Sequence, residues 1–381
     1  MKTWFSLLGR EQDLAVAELA AVLPHATLVV RDGIAVGTGE APDWTKLGGS
    51  QRAGVYLGEC ETGQPELVTA LLAHIPLTDG KLKLGISLTG GHKPAYLKLW
   101  KAVKKSLRES GQSVRLVVSQ TGTSLNAAEV SHNQLLGEKG LELVIWRSAN
   151  GWQFGKTTWN QDIEAYTKRD RERPARDAWV GMLPPKLAQI MINLAQAPAG
   201  AIVYDPFCGT GVVLQEALLA GYRVGGSDIS KEMVTATETN LAWLSQQHSF
   251  QPAQIGKIAR IDARDLSLPV SPQVVVVAEG YLGRPQSETM QLAALQDERA
   301  EADDLYAAVL ENLVRQTQLG GMVLALPFWH LDGRDYYLRI IDSLGEIGYT
   351  SDQFAPSGRR FLTYRRPEQR VGRMIIKLHR Q

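Results

Sequence analysis

The residues with chemistry in them lie first in "AIVYDPFCGTGVVLQEALLAGYRVGGSDIS", positions 201–230. An apolar run ends at Asp205, the chain turns through Phe207, Cys208, Gly209, Thr210 and Gly211, and a helical pattern opens at about Val212. Glycines let the backbone come close to a ligand, and the opening helix favours an anionic group such as a carboxylate. One Gly-x-Gly is weak evidence by itself. It gains weight from Asp228, which ends the next apolar run about 20 residues downstream, where an acceptor for ribose hydroxyls is expected. A third run ends in "IDARDL", placing Asp262 where it could accept from an adenine amino group. No Gly-Lys-Ser/Thr follows the glycine turn, which argues against a triphosphate P-loop. Three acidic strand ends around one glycine turn suit a cationic adenosyl sulfonium better than a pyrophosphate. The competing reading makes these aspartates helix caps, and it is strongest for Asp262.

A fourth run, "VVVVAEGYLGR", reads as a buried strand passing into a loop that carries Glu279 and Tyr281. Glu279 is either a working carboxylate at the active end of a strand or a structural one paired with a neighbour such as Arg284. Further on, "GMVLALPFWH" reads as a late strand whose Trp329 and His330 border a pocket or, preferably, cover the core.

These residues need a scaffold that gathers strand ends. Strand candidates at 201–204, 223–227, 257–261, 273–278 and 321–326 alternate with helical patterns, which predicts a doubly wound α/β sheet, Rossmann-like in type. Such a sheet binds its ligand at the carboxyl ends of the strands, where the strand order reverses. The front of the chain differs. Short runs at 27–30, 33–36, 114–118 and 141–146 mix with helical patterns at 12–23 and 95–108, as in small α+β modules. In the second of those helices Leu97, Trp100, Val103 and Leu107 form an apolar stripe, with Lys98, Lys101, Lys105 and Arg108 on the other side. The predicted divisions are 1–78, 79–150, a polar linker over 151–180, and 181–381.

Composition narrows the classes. The chain has 381 residues, 44% of them hydrophobic, enough for two or three ordinary cores. Arg10, Glu11, Asp13 and Glu18 interrupt the start, and no apolar run reaches the roughly 18 residues of a membrane span, so a cytoplasmic protein is expected. Cys60 and Cys208 are the two cysteines and show no metal-ligand pattern; no metal is expected. The net charge of +1 hides segregation: 81–115 holds nine basic residues against Glu109, and 358–381 holds eight against Glu368. Such clustering suits a polyanion, although a solvated helix face explains any single run as well.

Taken together, "DPFCGTG" and "GSDIS" resemble motifs I and II of class I S-adenosylmethionine-dependent methyltransferases. The stretch "YTKRDRERPARDAWVGMLPPKLAQIMINLA" resembles the THUMP-containing tRNA guanine-N2 methyltransferases that act at tRNA position 10. "LLGREQDLAVAELAAVL" is similar to that family's N-terminal ferredoxin-like module, and "SLNAAEVSHNQLLGEKGLELVI" to the end of its THUMP module. The resemblance implies S-adenosyl-L-methionine as cofactor, held by Asp205, Phe207, Gly209 and Gly211 in the turn, Asp228 at the ribose, and Asp262 with Ala263 near the adenine. Gly181 to Pro185 would close the same pocket. It also implies an RNA partner, a tRNA, gripped at its acceptor end by the THUMP module, and raises the question of an activator subunit. Lys98, Lys101, Lys105, Arg169 and Arg171 are the candidate phosphate contacts.

The departure from the family is "EGYLG", where its members carry Asp-Pro-Pro-Tyr followed by Gly. Aligned on Gly283 without a gap, Glu279 takes the Asp position, Gly280 and Tyr281 cover the prolines, and Leu282 takes the aromatic position. A one-residue gap restores Tyr281 as the residue that stacks on the base. In either register the stiff double proline is gone, so a looser or reshaped turn is expected. Three readings follow: an RNA guanine-N2 methyltransferase using Glu279 and Tyr281, an RNA-binding protein with a retained cofactor pocket and no turnover, or an amino methyltransferase acting elsewhere, as on DNA.

Overall fold

The structure is a computed structural model that describes residues 2–61, 63–120, 122–176, 182–269, 273–284 and 291–381. The chain forms two compact units. The first runs as far as Ala165, except for Ala17–Val22 and Lys46–Gly48, which group with the second, Tyr166–Gln381.

The first unit is built on one sheet of eight strands: β1 (Thr3–Leu8), β2 (Leu28–Arg31), β3 (Ile34–Thr38), β4 (Ser50–Glu61), β5 (Leu82–Leu88), β6 (Val114–Val117), β7 (Gly140–Arg147) and β8 (Gly151–Asn160). Their order is β2-β3-β1-β4-β8-β7-β5-β6. The expected linker therefore begins too early, because residues 151–160 are β8, paired with both β4 and β7. Strand β4 also escapes the sequence pattern. At Gly54 a Cβ would come within 1.9 Å of the Lys156 carbonyl, so the close approach of β4 to β8 demands the glycine that hides the strand.

Four helices accompany this sheet, α1 (Gln12–Val22), α2 (Gln64–Leu72), α3 (Lys93–Glu109) and α4 (Ala127–His132). Helix α3 buries Tyr96, Leu99, Trp100, Val103 and Leu107, which corrects the expected stripe: Leu97 is exposed, and Tyr96 and Leu99 take its place. Beneath the sheet Arg52 and Glu142 form a fully buried ion pair. Ser87 and Thr157 donate to the Glu142 carboxylate at 2.6 and 2.7 Å, and Arg52 donates to Ser124 at 3.0 Å. A buried pair of this kind is costly to break on one side only. Glu142→Gln should lower the stability of this unit by about 3–5 kcal/mol, and adding Arg52→Met should recover most of the loss. Urea unfolding followed by tryptophan fluorescence checks both.

The second unit begins within α5 (Ile163–Thr167) and includes a π-helical turn over Lys168–Glu172. Its sheet takes β9 (Ile202–Asp205), β10 (Arg223–Asp228), β11 (Ile255–Arg260), β12 (Val274–Glu279), β13 (Leu319–Leu331), β14 (Arg334–Tyr337), β15 (Tyr349–Ser351), β16 (Phe361–Tyr364) and β17 (Val371–Arg380). The main path is β11-β10-β9-β12-β13-β17-β15, with β14 on β13 and β16 on β17. Strands β11 to β13 along that path are parallel, and β17 runs antiparallel to β13 and β15. The doubly wound expectation holds, and the order reverses between β9 and β12. Helices α6 (Pro185–Ala195), α7 (Val212–Leu219), α8 (Lys231–Gln247) and α9 (Leu292–Val314) complete the unit.

Candidate active site

The reversal point brings together the ends of β9, β10 and β12, and with them Asp205, Asp228 and Glu279. Asp205 is buried and accepts from the Phe207 N–H at 2.9 Å. Asp228 accepts from the Gly209 N–H at 3.0 Å and from the Ser230 N–H at 2.9 Å, which ties the end of β10 to the turn after β9. The turn needs its glycines: Gly209 and Gly211 sit at φ +51° and +82°, in the left-handed region, and a Cβ on Gly211 would press on Thr237 at 3.1 Å. Helix α8 holds the turn from behind. Thr237 donates to the Gly209 carbonyl at 2.8 Å, and Asn240 donates to the Thr210 carbonyl at 2.8 Å while also bonding both backbone groups of Ala175.

In front of the turn lies a cavity walled by Met182, Leu183, Asp205, Phe207, Gly209 and Glu279, among others. Of the stretch expected to close it, Met182 and Leu183 line it and Gly181 lies outside the described residues. Burial pushes the Asp205 carboxyl well above the ordinary aspartate range; the Phe207 N–H opposes the rise, and the Asp228 and Glu279 charges add to it. Burial also pushes Glu279 up, against the Arg373 guanidinium. Two carboxyl groups thus face one cavity as hydrogen-bond acceptors, Asp205 buried and Glu279 partly so.

The loop after β12 is shaped by other elements, which is the reshaped alternative to a looser turn. Glu279 is ion-paired with Arg373 of β17, not with Arg284. The Gly280 N–H donates to the Ala325 carbonyl at 3.2 Å, and the buried Tyr306 hydroxyl of α9 donates to the Tyr281 carbonyl at 2.9 Å. The Arg284 N–H donates to Glu298 of the same helix. A Cβ on Gly280 would meet the Tyr306 hydroxyl at 2.1 Å, so glycine is required where the family resemblance places a proline. The Tyr281 side chain is exposed.

Other expected site residues fall differently. Asp262 caps the short helical turn Ala263–Asp265, accepting from the Arg264 N–H at 3.0 Å and pairing with its guanidinium at 2.5 Å, bonds that hold the carboxyl below its usual range. The capping reading thus describes Asp262, with Ala263 buried beside it. Arg169 is corrected outright as a phosphate contact. It pairs with buried Glu216 of α7 at 2.6 Å and packs 4.6 Å over the Tyr166 ring, because an acid buried inside α7 needs a cation. Arg171, Lys98, Lys101 and Lys105 are exposed, Lys105 within 3.8 Å of Glu109. Trp329 is fully buried, as preferred, and His330 bonds Asp335 at 2.6 Å. Sequence reasoning missed Arg373, whose signal was an arginine inside an apolar strand, and Ile229, 60% exposed beside Asp228. Among the described residues no cluster suits a metal ion, and no helix is long and apolar enough to cross a membrane.

The second unit is a doubly wound, Rossmann-like domain, and parts of the chain match methyltransferase family models. Residues 173–328 match the family model described as "RMKL-like, methyltransferase domain", and residues 92–239 one described as "DNA methylase". The tRNA (guanine(10)-N2)-dimethyltransferase of Methanothermobacter thermautotrophicus is 35% identical over 152 residues, 40% of this chain and 40% of that protein. Its counterpart in Methanocaldococcus jannaschii is 38% identical over 99 residues, 26% of this chain and 27% of that one. The match thus spans less than half the length of these relatives. The crystal structure of TrmN from Thermus thermophilus aligns over 100% of both chains with a TM-score of 0.55 and 18% identity, which shows a shared fold.

The buried state of Asp205 has a consequence for stability. An aspartate whose folded pKa is raised favours the fold below the unfolded pKa, and that contribution is lost as pH rises through the folded value. Asp205→Asn keeps the acceptor for Phe207 and removes the charge. It should raise the thermal midpoint at neutral pH, with the gain disappearing below about pH 4, as thermal scans across pH would show.

Proposed function

We propose that the chain is an S-adenosyl-L-methionine-dependent RNA methyltransferase that methylates the exocyclic N2 amine of guanine in tRNA. The observation that carries this reading is the meeting of Asp205, Asp228 and Glu279 around the glycine turn at the reversal point of the sheet. It is supported by the 35% and 38% identity of 152 and 99 residues of the chain to tRNA (guanine(10)-N2)-dimethyltransferases.

The residues present fit the cofactor. Asp205 and Glu279 give the cavity carboxyl acceptors, Asp228, bonded to the Gly209 amide of the same turn, offers a carboxylate for ribose hydroxyls, and the exposed Ile229 next to it offers an apolar face to the adenine. Phe207, Gly209 and Gly211 shape the turn, and Asp262 with Ala263 takes the adenine edge. Arg264 would have to share or release Asp262 for that contact. When bound, S-adenosylmethionine supplies an electrophilic methyl group, so the protein's task is alignment, worth roughly 7–11 kcal/mol in well-oriented systems. Glu279 accepts from the amine, turning its lone pair toward the methyl carbon. Held there, the amine would face the methyl group that the cofactor would supply, and its surplus proton would pass to water. Tyr281 stacks on the flipped base, an interaction of about 1–3 kcal/mol.

In this reading the first unit grips the RNA as ferredoxin-like and THUMP modules would, with Lys98, Lys101 and Lys105 offering phosphate contacts there and Arg171 offering one from the second unit. The protein acts in the cytoplasm. A second reading, an RNA-binding protein without turnover, draws on one observation: Glu279 and the Tyr281 carbonyl already have internal donors. Each oxygen acceptor has more than one lone pair, which favours the first reading.

Incubation with labelled S-adenosylmethionine and unmodified tRNA should yield N2-methylguanosine, lost in Glu279→Ala and Asp228→Ala. Cofactor and RNA binding without transfer would establish the second reading, and label in DNA or on another base would exclude guanine N2. Binding to tRNA should weaken by orders of magnitude as salt rises from 50 to about 200 mM, and less steeply for Lys98→Ala/Lys101→Ala.

A further inference from the structure

We propose that Arg373 is the positioning residue of the methyl-acceptor site, fixing Glu279 in the one orientation from which it accepts the substrate amine. This rests on the methyl-transfer reading of the cavity.

Register explains how the two residues meet. Strand β13 lies between β12 and β17, so their backbones are roughly 10 Å apart. Glu279 stands opposite Ala325 on β13, Ala325 opposite Ile375 on β17, and Pro327 opposite Arg373. Opposed residues share a face of the sheet. Ala325 presents only a methyl group between the two strands, which leaves a passage for the arginine. The span needs length from both sides. An aspartate at 279 would stop one methylene short, and this gives the longer carboxylate of this chain a purpose. Arg373 is 3% exposed, and the Tyr364 ring, opposite it on β16, lies 5.8 Å from its guanidinium. Such burial removes it from any direct role with RNA phosphates and sets it against the Glu279 carboxylate that lines the cavity.

An arginine–carboxylate contact has a fixed geometry that a point charge lacks. With about four acceptor positions, a carboxylate engaged by Arg373 retains capacity for a substrate N–H. Among the described residues, the titratable and charged groups facing Glu279 are Arg373 from β17, Asp205 from β9 and Tyr306 from α9. Arg373 is the cation among them, so its loss exposes Glu279 to burial and to a neighbouring carboxylate. The pair does the work that a stiff double proline would do, through a side chain instead of the backbone.

The test is a double-substitution cycle on the full chain, assayed with S-adenosylmethionine and unmodified tRNA across pH. Arg373→Met should lower kcat about a hundredfold with tRNA binding unchanged, and move the acid limb of the rate profile to higher pH. In a Glu279→Gln background the same substitution should change the residual rate by no more than about twofold. Arg373→Lys, which keeps a charge for the fold, should lose kcat while keeping an acid limb nearer the native one. A native rate and profile in Arg373→Met overturns the inference, and so does equal loss in both backgrounds. If Arg373→Met does not fold, an unchanged kcat or weakened tRNA binding in Arg373→Lys overturns it. Absence of transfer by the native chain removes the proposed function itself, whereas an active native chain indifferent to Arg373 removes the positioning role alone.

Discussion

A carboxylate taken out of water must be met by donors, and the second unit is organised around several that are. Asp205 takes the Phe207 amide, Asp228 the amides of Gly209 and Ser230, Glu216 the guanidinium of Arg169, Glu298 the amide of Arg284, and Glu279 the guanidinium of Arg373. Four of these bonds close connections between elements that the chain order keeps apart. The glycine turn is tied to β10, the segment before α6 to α7, the loop after β12 to α9, and β12 to β17. Removing the carboxylates would leave the sheet but dissolve the shape of its carboxyl edge. The donors are mostly backbone amides, which cannot be moved without moving the fold, so the cavity is preorganised rather than assembled on demand.

The loop after β12 shows how stiffness can be supplied from a distance. A proline restricts its own φ and needs no neighbour to do so. In its place this chain has a glycine that makes room for the Tyr306 hydroxyl, and that hydroxyl fixes the next carbonyl. Tyr306 is buried against Phe207 of the glycine turn, with ring centroids 6.2 Å apart, so one aromatic side chain touches both loops of the cavity. Helix α9 thus joins the fold's hydrophobic core to the site, because its buried face of Leu295, Ala302, Tyr306, Val309 and Leu313 sets where that hydroxyl points.

Much of this was legible in the chain. The apolar runs that became β9 to β13 lie within a few residues of their expected ends, and the glycine turn with its two aspartates is where spacing placed it. Strand periodicity failed where packing demands small or polar residues: β4 carries Gly54 against β8, and β8 itself was polar enough to pass for a linker. Charge failed differently. Arg169 and Arg373 look alike in sequence to Arg171 and Arg366, yet the first two are buried in ion pairs and the last two lie on the surface.

The sequence by itself determined the doubly wound sheet, the glycine turn and the placing of Asp205, Asp228 and Glu279 at strand ends, because these depend on local periodicity and on residues with special backbone freedom. Tertiary structure alone decided what those carboxylates meet. Glu279 and Arg373 are 94 positions apart, and Tyr306 lies 25 beyond the carbonyl it fixes. Such pairings depend on strand order and register, which are properties of the assembled sheet, and no local pattern records them.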